Sequence, residues 1–281
     1  MTRTRTLALT ALAMAAFAAN SLLCRQALAH TRVDPATFTT VRIASGALAL
    51  ALLTRSRGGA PAASGSWGSA LALFAYAAGF SFAYVSLPAS TGALLLFGAV
   101  QLTMIGQGLR AGERLRPAQL AGLAAAFAGL FGLLAPGLSA PAPGGAALMI
   151  AAGVAWGVYS LRGRGSGAPL PVTSGNFLRA VPFALATSVV FAGRAAADPA
   201  GLALAAVSGA IASGMGYAIW YSALGGLSAT SAATVQLCVP VLASLGGVAL
   251  LSERVTPRLV LASVAILGGI ALVILERRRA A

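Results

Sequence analysis

Charge is scarce in this 281-residue chain: it has five acidic residues, no lysine, one histidine and two cysteines. Charged residues make up 9% of it and hydrophobic ones 58%, whereas a water-soluble domain carries about a quarter charged residues. A soluble fold would have too few polar side chains to cover its surface, so that class is excluded. Cys24 and Cys238 lie inside apolar stretches without the close spacing of a metal site and read as buried, inert thiols. The single histidine, His30, has neither the helical Glu partner of a zinc site nor a Ser or Cys nucleophile placed beside it. Metal ligation, cofactor chemistry and nucleophilic catalysis therefore have no starting point, and no metal or cofactor is expected.

What the chain has in abundance is apolar length. Runs of roughly twenty residues, each enough to cross a hydrocarbon layer about 30 Å thick, follow one another from end to end. Bounded by Arg, Pro, Gly and Ser breaks, they predict ten helices near 5–26, 36–54, 68–87, 90–109, 118–135, 144–160, 172–193, 202–222, 228–251 and 258–275. Connections such as Arg57-Gly58-Gly59 with Pro61, Leu87-Pro88 and Pro136-Gly137 with Pro141 and Pro143 are short and carry turn chemistry. Arg3, Arg5 and the run from Leu7 imitate a secretory signal, with Ala27-Leu28-Ala29 as its cleavage site. The run to Leu23 is longer than a signal core, so the first helix is expected to be retained.

The formal net charge of +14 would suggest nucleic-acid binding in a soluble chain. Here every basic residue is an arginine, and they fall singly or in pairs between apolar runs, which is a topology signal and argues against a nucleic-acid partner. With the N-terminus inside, twelve lie inside: Arg3, Arg5, Arg55, Arg57, Arg110, Arg114, Arg116, Arg162, Arg164, Arg277, Arg278 and Arg279. Five lie outside: Arg25, Arg32, Arg194, Arg254 and Arg258. The asymmetry predicts both termini in the cytoplasm, in a multi-pass protein of the cytoplasmic (inner) membrane. Arg42 and Arg179 fall within helices 2 and 7.

The second half repeats the first. Glu113-Arg114 with Pro117 recurs 140 residues later as Glu253-Arg254 with Pro257, and Ser90-Thr91-Gly92-Ala93 falls on Thr230-Ser231-Ala232-Ala233 at the same shift. Val41-Arg42 matches Leu178-Arg179 at a shift of 137, and Asn20-Ser21 matches Tyr159-Ser160 at 139. Two five-helix units, 1–136 and 144–281, follow. Five is odd, so the second unit enters the membrane the other way up, and such inverted repeats commonly bind substrate near the midplane where the halves meet.

In these features the chain resembles the EamA-type members of the drug/metabolite transporter superfamily. A Glu-Arg follows the fourth helix of each half (Glu113-Arg114, Glu253-Arg254), an Arg stands early in each second helix (Arg42, Arg179), and Ala155-Trp156-Gly157 is similar to the Trp-Gly pattern of each first helix. Helix 1 departs from it, with Phe17-Ala18-Ala19-Asn20 at that place. In size, helix plan and repeat it also looks like a YddG-type amino-acid exporter. The resemblance implies that helices 1 to 4 and 6 to 9 enclose a substrate cavity while helices 5 and 10 are peripheral.

Asn20, Gln101, Gln107, Asn176 and Gln236 are amides in apolar helices, where an unpaired polar group is costly; they face each other, water or substrate. Phe80, Trp156, Tyr217 and Trp220 supply apolar wall at depth. Together Asn20, Phe80, Gln101, Gln107, Trp156, Tyr217, Trp220 and Gln236 form the candidate substrate site. Arg42 and Arg179 have two readings: pairing with a substrate carboxylate, or snorkelling to an interface and tying down loops. The second is preferred, because two copies of a repeat rarely make one contact. Glu113 and Glu253 read as structural clamps that can also gate, and Pro182 and Pro240 as bends.

All five acids lie at helix ends or in connections, so none sits at mid-depth to carry a coupling proton. The expected function is export of small metabolites, foremost amino acids with aromatic and other apolar side chains, by alternating access through a central cavity. The alternatives are a multidrug or other metabolite exporter of the same superfamily, a channel and, from a different class, an intramembrane enzyme. The expected partners are the small-molecule substrate and the lipid bilayer.

Overall fold

The computed structural model describes residues 2–278 apart from 63, 111, 113, 114, 138, 139, 164–167 and 228; the side chains of 229–231, 233, 277 and 278 also lie outside the description. Among the described residues the chain forms ten helices. They are α1 (Arg3–His30), α2 (Pro35–Ser56), α3 (Trp67–Tyr84), α4 (Ala89–Arg110), α5 (Pro117–Leu134), α6 (Pro143–Gly163), α7 (Pro169–Val190), α8 (Pro199–Leu224), α9 in two segments (Ala229–Gln236 and Cys238–Leu251) and α10 (Pro257–Arg278). Eight of them are long and apolar enough to cross a membrane, and α3 and α7 fall short of that apolarity.

Six of the ten start on a proline: α2, α5, α6, α7, α8 and α10. At the first helical position proline's missing N–H costs nothing and its fixed φ already suits the helix. These starts therefore precede the expected ones by one to three residues. Asp34 and Asp198 cap α2 and α8, the former accepting from the N–H groups of Ala36 and Thr37, the latter from that of Gly201.

Eight helices close into a ring in the order α1, α8, α2, α7, α3, α6, α4, α9 and back to α1, each packed on the next. Renumbering each helix by five, which exchanges the halves, maps this ring onto itself. The contact of α3 with α6 becomes that of α8 with α1, and α2–α7 and α4–α9 map onto themselves. The inverted repeats thus alternate around one pseudo-two-fold axis, and every pair of neighbours in the ring comes from opposite halves. α5 and α10 pack on each other outside the ring. Their crossing depends on glycine, because a Cβ on Gly122 would lie 2.6 Å from the Gly269 carbonyl oxygen.

Two helices depart from regularity. Residues Ser208–Met215 of α8 form a π-helical segment between the α-helical stretches Pro199–Val207 and Gly216–Leu224. Such wide turns concentrate at functional sites. Here the segment lies directly on α2: a Cβ on Gly209 would collide with the Arg42 carbonyl oxygen. In α9 the expected bend is a break, with Leu237 outside both segments and Pro240 in the first turn of the second. Proline cannot donate to the Gln236 carbonyl four residues back, so the helix restarts there. Pro182, by contrast, sits inside an uninterrupted α7.

Candidate functional site

At the centre of the ring both halves contribute aromatic side chains to one cluster. Trp156 on α6 packs on Tyr76 of α3 and Tyr217 of α8, with ring centroids 4.8 Å away in both cases, and on Tyr159 of its own helix at 5.5 Å. Phe17 on α1 presents edges to Trp156, Tyr217 and Trp220 at 6.2, 5.9 and 5.9 Å. Phe80, one turn below Tyr76, completes the wall at 5.5 Å from it. Offset and edge contacts of this kind stabilise by about 0.5–1.5 kcal/mol each beyond the area they bury.

The rings surround a void lined by Phe17, Asn20, Tyr76, Phe80, Leu96, Phe97, Trp156 and Tyr217. Its volume of about 10 Å³ is close to the minimum for one water molecule, so the site is shut in this state. Polar side chains stitch its edge. The Asn20 amide donates to the Tyr76 hydroxyl at 3.3 Å and its carbonyl accepts from Ser208 at 2.6 Å. Arg42, only 2% exposed, donates from Nη2 to the same Tyr76 hydroxyl at 3.0 Å and from Nε to Ser213 at 3.2 Å. Its guanidinium lies over the rings of Tyr76 and Phe80, 5.2 and 4.8 Å from their centroids. Ser208 and Ser213 both belong to the π segment, which is how α8 delivers two hydroxyls to this level.

Of the residues singled out from sequence, Asn20, Phe80, Trp156 and Tyr217 line the central void, and Trp220 stands behind Phe17. Gln101 and Gln236 are buried but do not line it. Gln107 lies apart from the void: it is exposed and borders a lateral groove of about 490 Å³ between α4, α5 and α6, with Thr103, Arg110, Phe127 and Val154. Placed near the end of α4, its amide meets that surface and leaves the centre to the rings.

Arg42 does not reach an interface, whereas its repeat counterpart Arg179 does tie down a loop, donating to the carbonyl oxygens of Ser64, Gly175 and Ala62 at 2.6, 3.0 and 3.2 Å. The sequence reading also missed Phe17, Tyr76, Ser208 and Ser213. Phe17 was findable, since it stands 139 residues before Trp156, and Tyr76 stands 137 before Ser213.

Two clasps close the face on which α1 ends. Glu253, after α9, accepts from the Ala89 N–H at 2.6 Å and from both the N–H and hydroxyl of Ser90 at 3.3 Å. The carboxylate thereby sits on the N-terminus of α4, where the helix dipole favours negative charge. Arg25 lies 3.8 Å from it while donating to the carbonyls of Tyr84 and Val85. In the other clasp, Asp34 accepts from the Ala196 N–H at 3.0 Å, and Asp198 accepts from that of Arg32. Partial burial works against ionisation of Asp34, but hydrogen bonds from Thr37, Ala196 and Ala36 outweigh it and hold the carboxyl below its ordinary range. Backbone bonds from Gly201 and Arg32 do the same for Asp198. Glu113 and Arg114, the counterparts of Glu253 and Arg254, lie outside the described residues.

Comparison with known proteins agrees with this architecture. The sequence profile of the EamA-like transporter family matches twice, over residues 4–135 and 143–275. An uncharacterized protein of Pseudomonas aeruginosa is 58% identical over 275 residues, covering 97% of this chain and 96% of its own. A protein of known crystal structure shares the fold at a TM-score of 0.68 and 22% identity, over 96% of this chain and 99% of its own.

Proposed function

From the premise that this chain belongs to the EamA-like transporter family, we propose that it exports small metabolites, foremost amino acids with aromatic and other apolar side chains, by alternating access through the centre of the ring. The reading rests chiefly on one observation: rings from both halves, with Asn20 and Arg42 at their edge, meet around a single void at the pseudo-two-fold axis. A zwitterion with an apolar side chain needs such a wall and a few fixed hydrogen-bond partners.

The two repeats, 1–136 and 144–281, enclose the cavity together. In the state described the void is shut, and the clasps of Glu253, Asp34 and Asp198 hold together the face on which α1 ends. Opening that face requires Glu253 to release α4. With both termini cytoplasmic, as the twelve-to-five arginine asymmetry favours, it is the outer face of the inner membrane. The plan of ten helices in two repeats is also that of YddG-type amino-acid exporters.

Counterflow in proteoliposomes tests the reading. Vesicles loaded with unlabelled phenylalanine should accumulate the labelled form, and Trp156→Ala should impair phenylalanine and leucine more than alanine. Equal loss for every size of side chain would remove the aromatic wall from the site, and absence of counterflow for every amino acid would remove the substrate class.

A further inference from the structure

Arg42 carries a positive charge in the middle of the ring without a counter-ion among the described residues. Asp34, Asp198 and Glu253 are all engaged at the face where α1 ends. A bare ionised side chain at such depth is costly, and one that persists points to function. Its satisfaction is incomplete as well. Nε and Nη2 have partners, but Nη1, buried with the rest, has no hydrogen-bond partner. The hydroxyl of Tyr217, a residue that lines the void, is likewise buried and without a partner among the described residues. Two unsatisfied groups able to donate therefore belong to the central cluster, Tyr217 as part of the void's lining and Arg42 against Tyr76 and Phe80, which also line it, and what complements both is an acceptor carrying negative charge.

The repeat supplies an internal comparison. Arg179 occupies the equivalent place in the second half and shows what a structural arginine looks like in this fold, with three backbone carbonyls taking its protons. Among the described residues Arg42 has not one carbonyl as a partner. Instead it bridges Tyr76 and Ser213, which are themselves repeat counterparts at a shift of 137, so its guanidinium sits close to the pseudo-two-fold axis. That is where a substrate must pass whichever face is open. Of the two arginines in register, one thus ties a loop and the other keeps one fork edge free.

We infer that Arg42 is the carboxylate receptor of the central site, with its Nη1 edge and the Tyr217 hydroxyl taking the anionic head of the substrate while Tyr76, Phe80 and Trp156 take its apolar body. The planar fork suits a carboxylate, whose single charge one guanidinium balances, whereas a phosphate dianion would leave one charge uncompensated. The inference rests on the transport reading above, and it makes the carboxylate, more than the amine, the recognised group.

The test is counterflow by the full-length protein with three probes: phenylalanine, phenylalaninamide, which lacks the carboxylate, and 3-phenylpropionate, which lacks the amine. Wild type should exchange phenylalanine and 3-phenylpropionate and should handle the amide at least tenfold less well. Arg42→Gln should lose both carboxylates while keeping or gaining the amide, a gain that a merely unstable protein cannot show. Arg42→Lys, with the charge but not the fork, should retain part of the carboxylate activity. Wild type that exchanges the amide as well as phenylalanine would overturn the inference, as would Arg42→Gln that still carries phenylalanine. In either case a selective defect for bulky substrates in Trp156→Ala would leave the site standing. Should Arg42→Gln fail to fold, the wild-type probe series decides alone.

Discussion

Removing the charge of Glu253 while keeping its shape should unlatch one face of the protein. In Glu253→Gln one oxygen still accepts, but the bonds from Ala89 and Ser90 become neutral ones and the favourable position at the start of α4 is lost. Hydrogen bonds to a charged group contribute about 1.5–3 kcal/mol net, against about 0.5–1.5 for neutral pairs. The helix dipole adds about 0.3–1 kcal/mol. Two of the three bonds are long, so the combined loss is about 2 kcal/mol, and the ion pair with Arg25 at 3.8 Å adds little at that distance. Since about 1.4 kcal/mol is a factor of ten, the closed-to-open ratio of this face should fall roughly thirtyfold. Spin labels at Val85 and Val255, both exposed on the loops the clasp joins, report it by pulsed dipolar spectroscopy, with Cys24 and Cys238 replaced by serine. The variant should show a longer-distance population that the parent lacks. Identical distance distributions, in detergent and in nanodiscs, would refute the clasp as a gate.

Other perturbations follow from the same contacts. Gly209→Ala places a methyl group against the Arg42 carbonyl and should lower thermal stability by about 1–3 kcal/mol, read from the melting temperature. Asp34 is held below its ordinary range, so its contribution is present above that range and is lost as pH falls through the lowered native value. Asp34→Asn should therefore flatten the acid limb of a stability–pH curve, and an unchanged limb would remove the clasp from the account. Pro240→Ala restores an N–H toward Gln236 and should join the two segments of α9. The expected result is slower counterflow with unchanged preference among substrates.

Much of the fold was written in the repeat. Once Glu113 and Glu253, Arg42 and Arg179, and Asn20 and Tyr159 were aligned, ten helices in two inverted halves followed, because an odd unit must turn over. The aromatic wall was partly legible too: Trp156 and Tyr217 stand inside apolar helices, away from their ends. Phe17 was overlooked although it stands in register with Trp156, because helix 1 departs there from the expected Trp-Gly pattern. The π segment of α8 leaves no mark in hydropathy; only the close packing of Gly209 on α2 explains why small residues stand there. Gln107 was assigned by polarity alone, and polarity near a helix end does not distinguish a cavity from the exposed surface. The burial of Arg42 was not foreseen, because the two copies of a repeat were taken to share an environment. The environments differ: Arg179 finds loop carbonyls within reach, while Arg42 meets the rings of α3 and the hydroxyl of Ser213.

The central claim is that the void at the ring's axis is reached from each side of the membrane in turn. Leu96 lines that void and is 3% exposed, which makes it a direct reporter. In a background without Cys24 and Cys238, Leu96→Cys should react with a membrane-impermeant thiol reagent in both right-side-out and inside-out vesicles, and phenylalanine should slow the reaction from both sides. Labelling from neither side, or labelling that phenylalanine leaves unchanged, would contradict alternating access through this site.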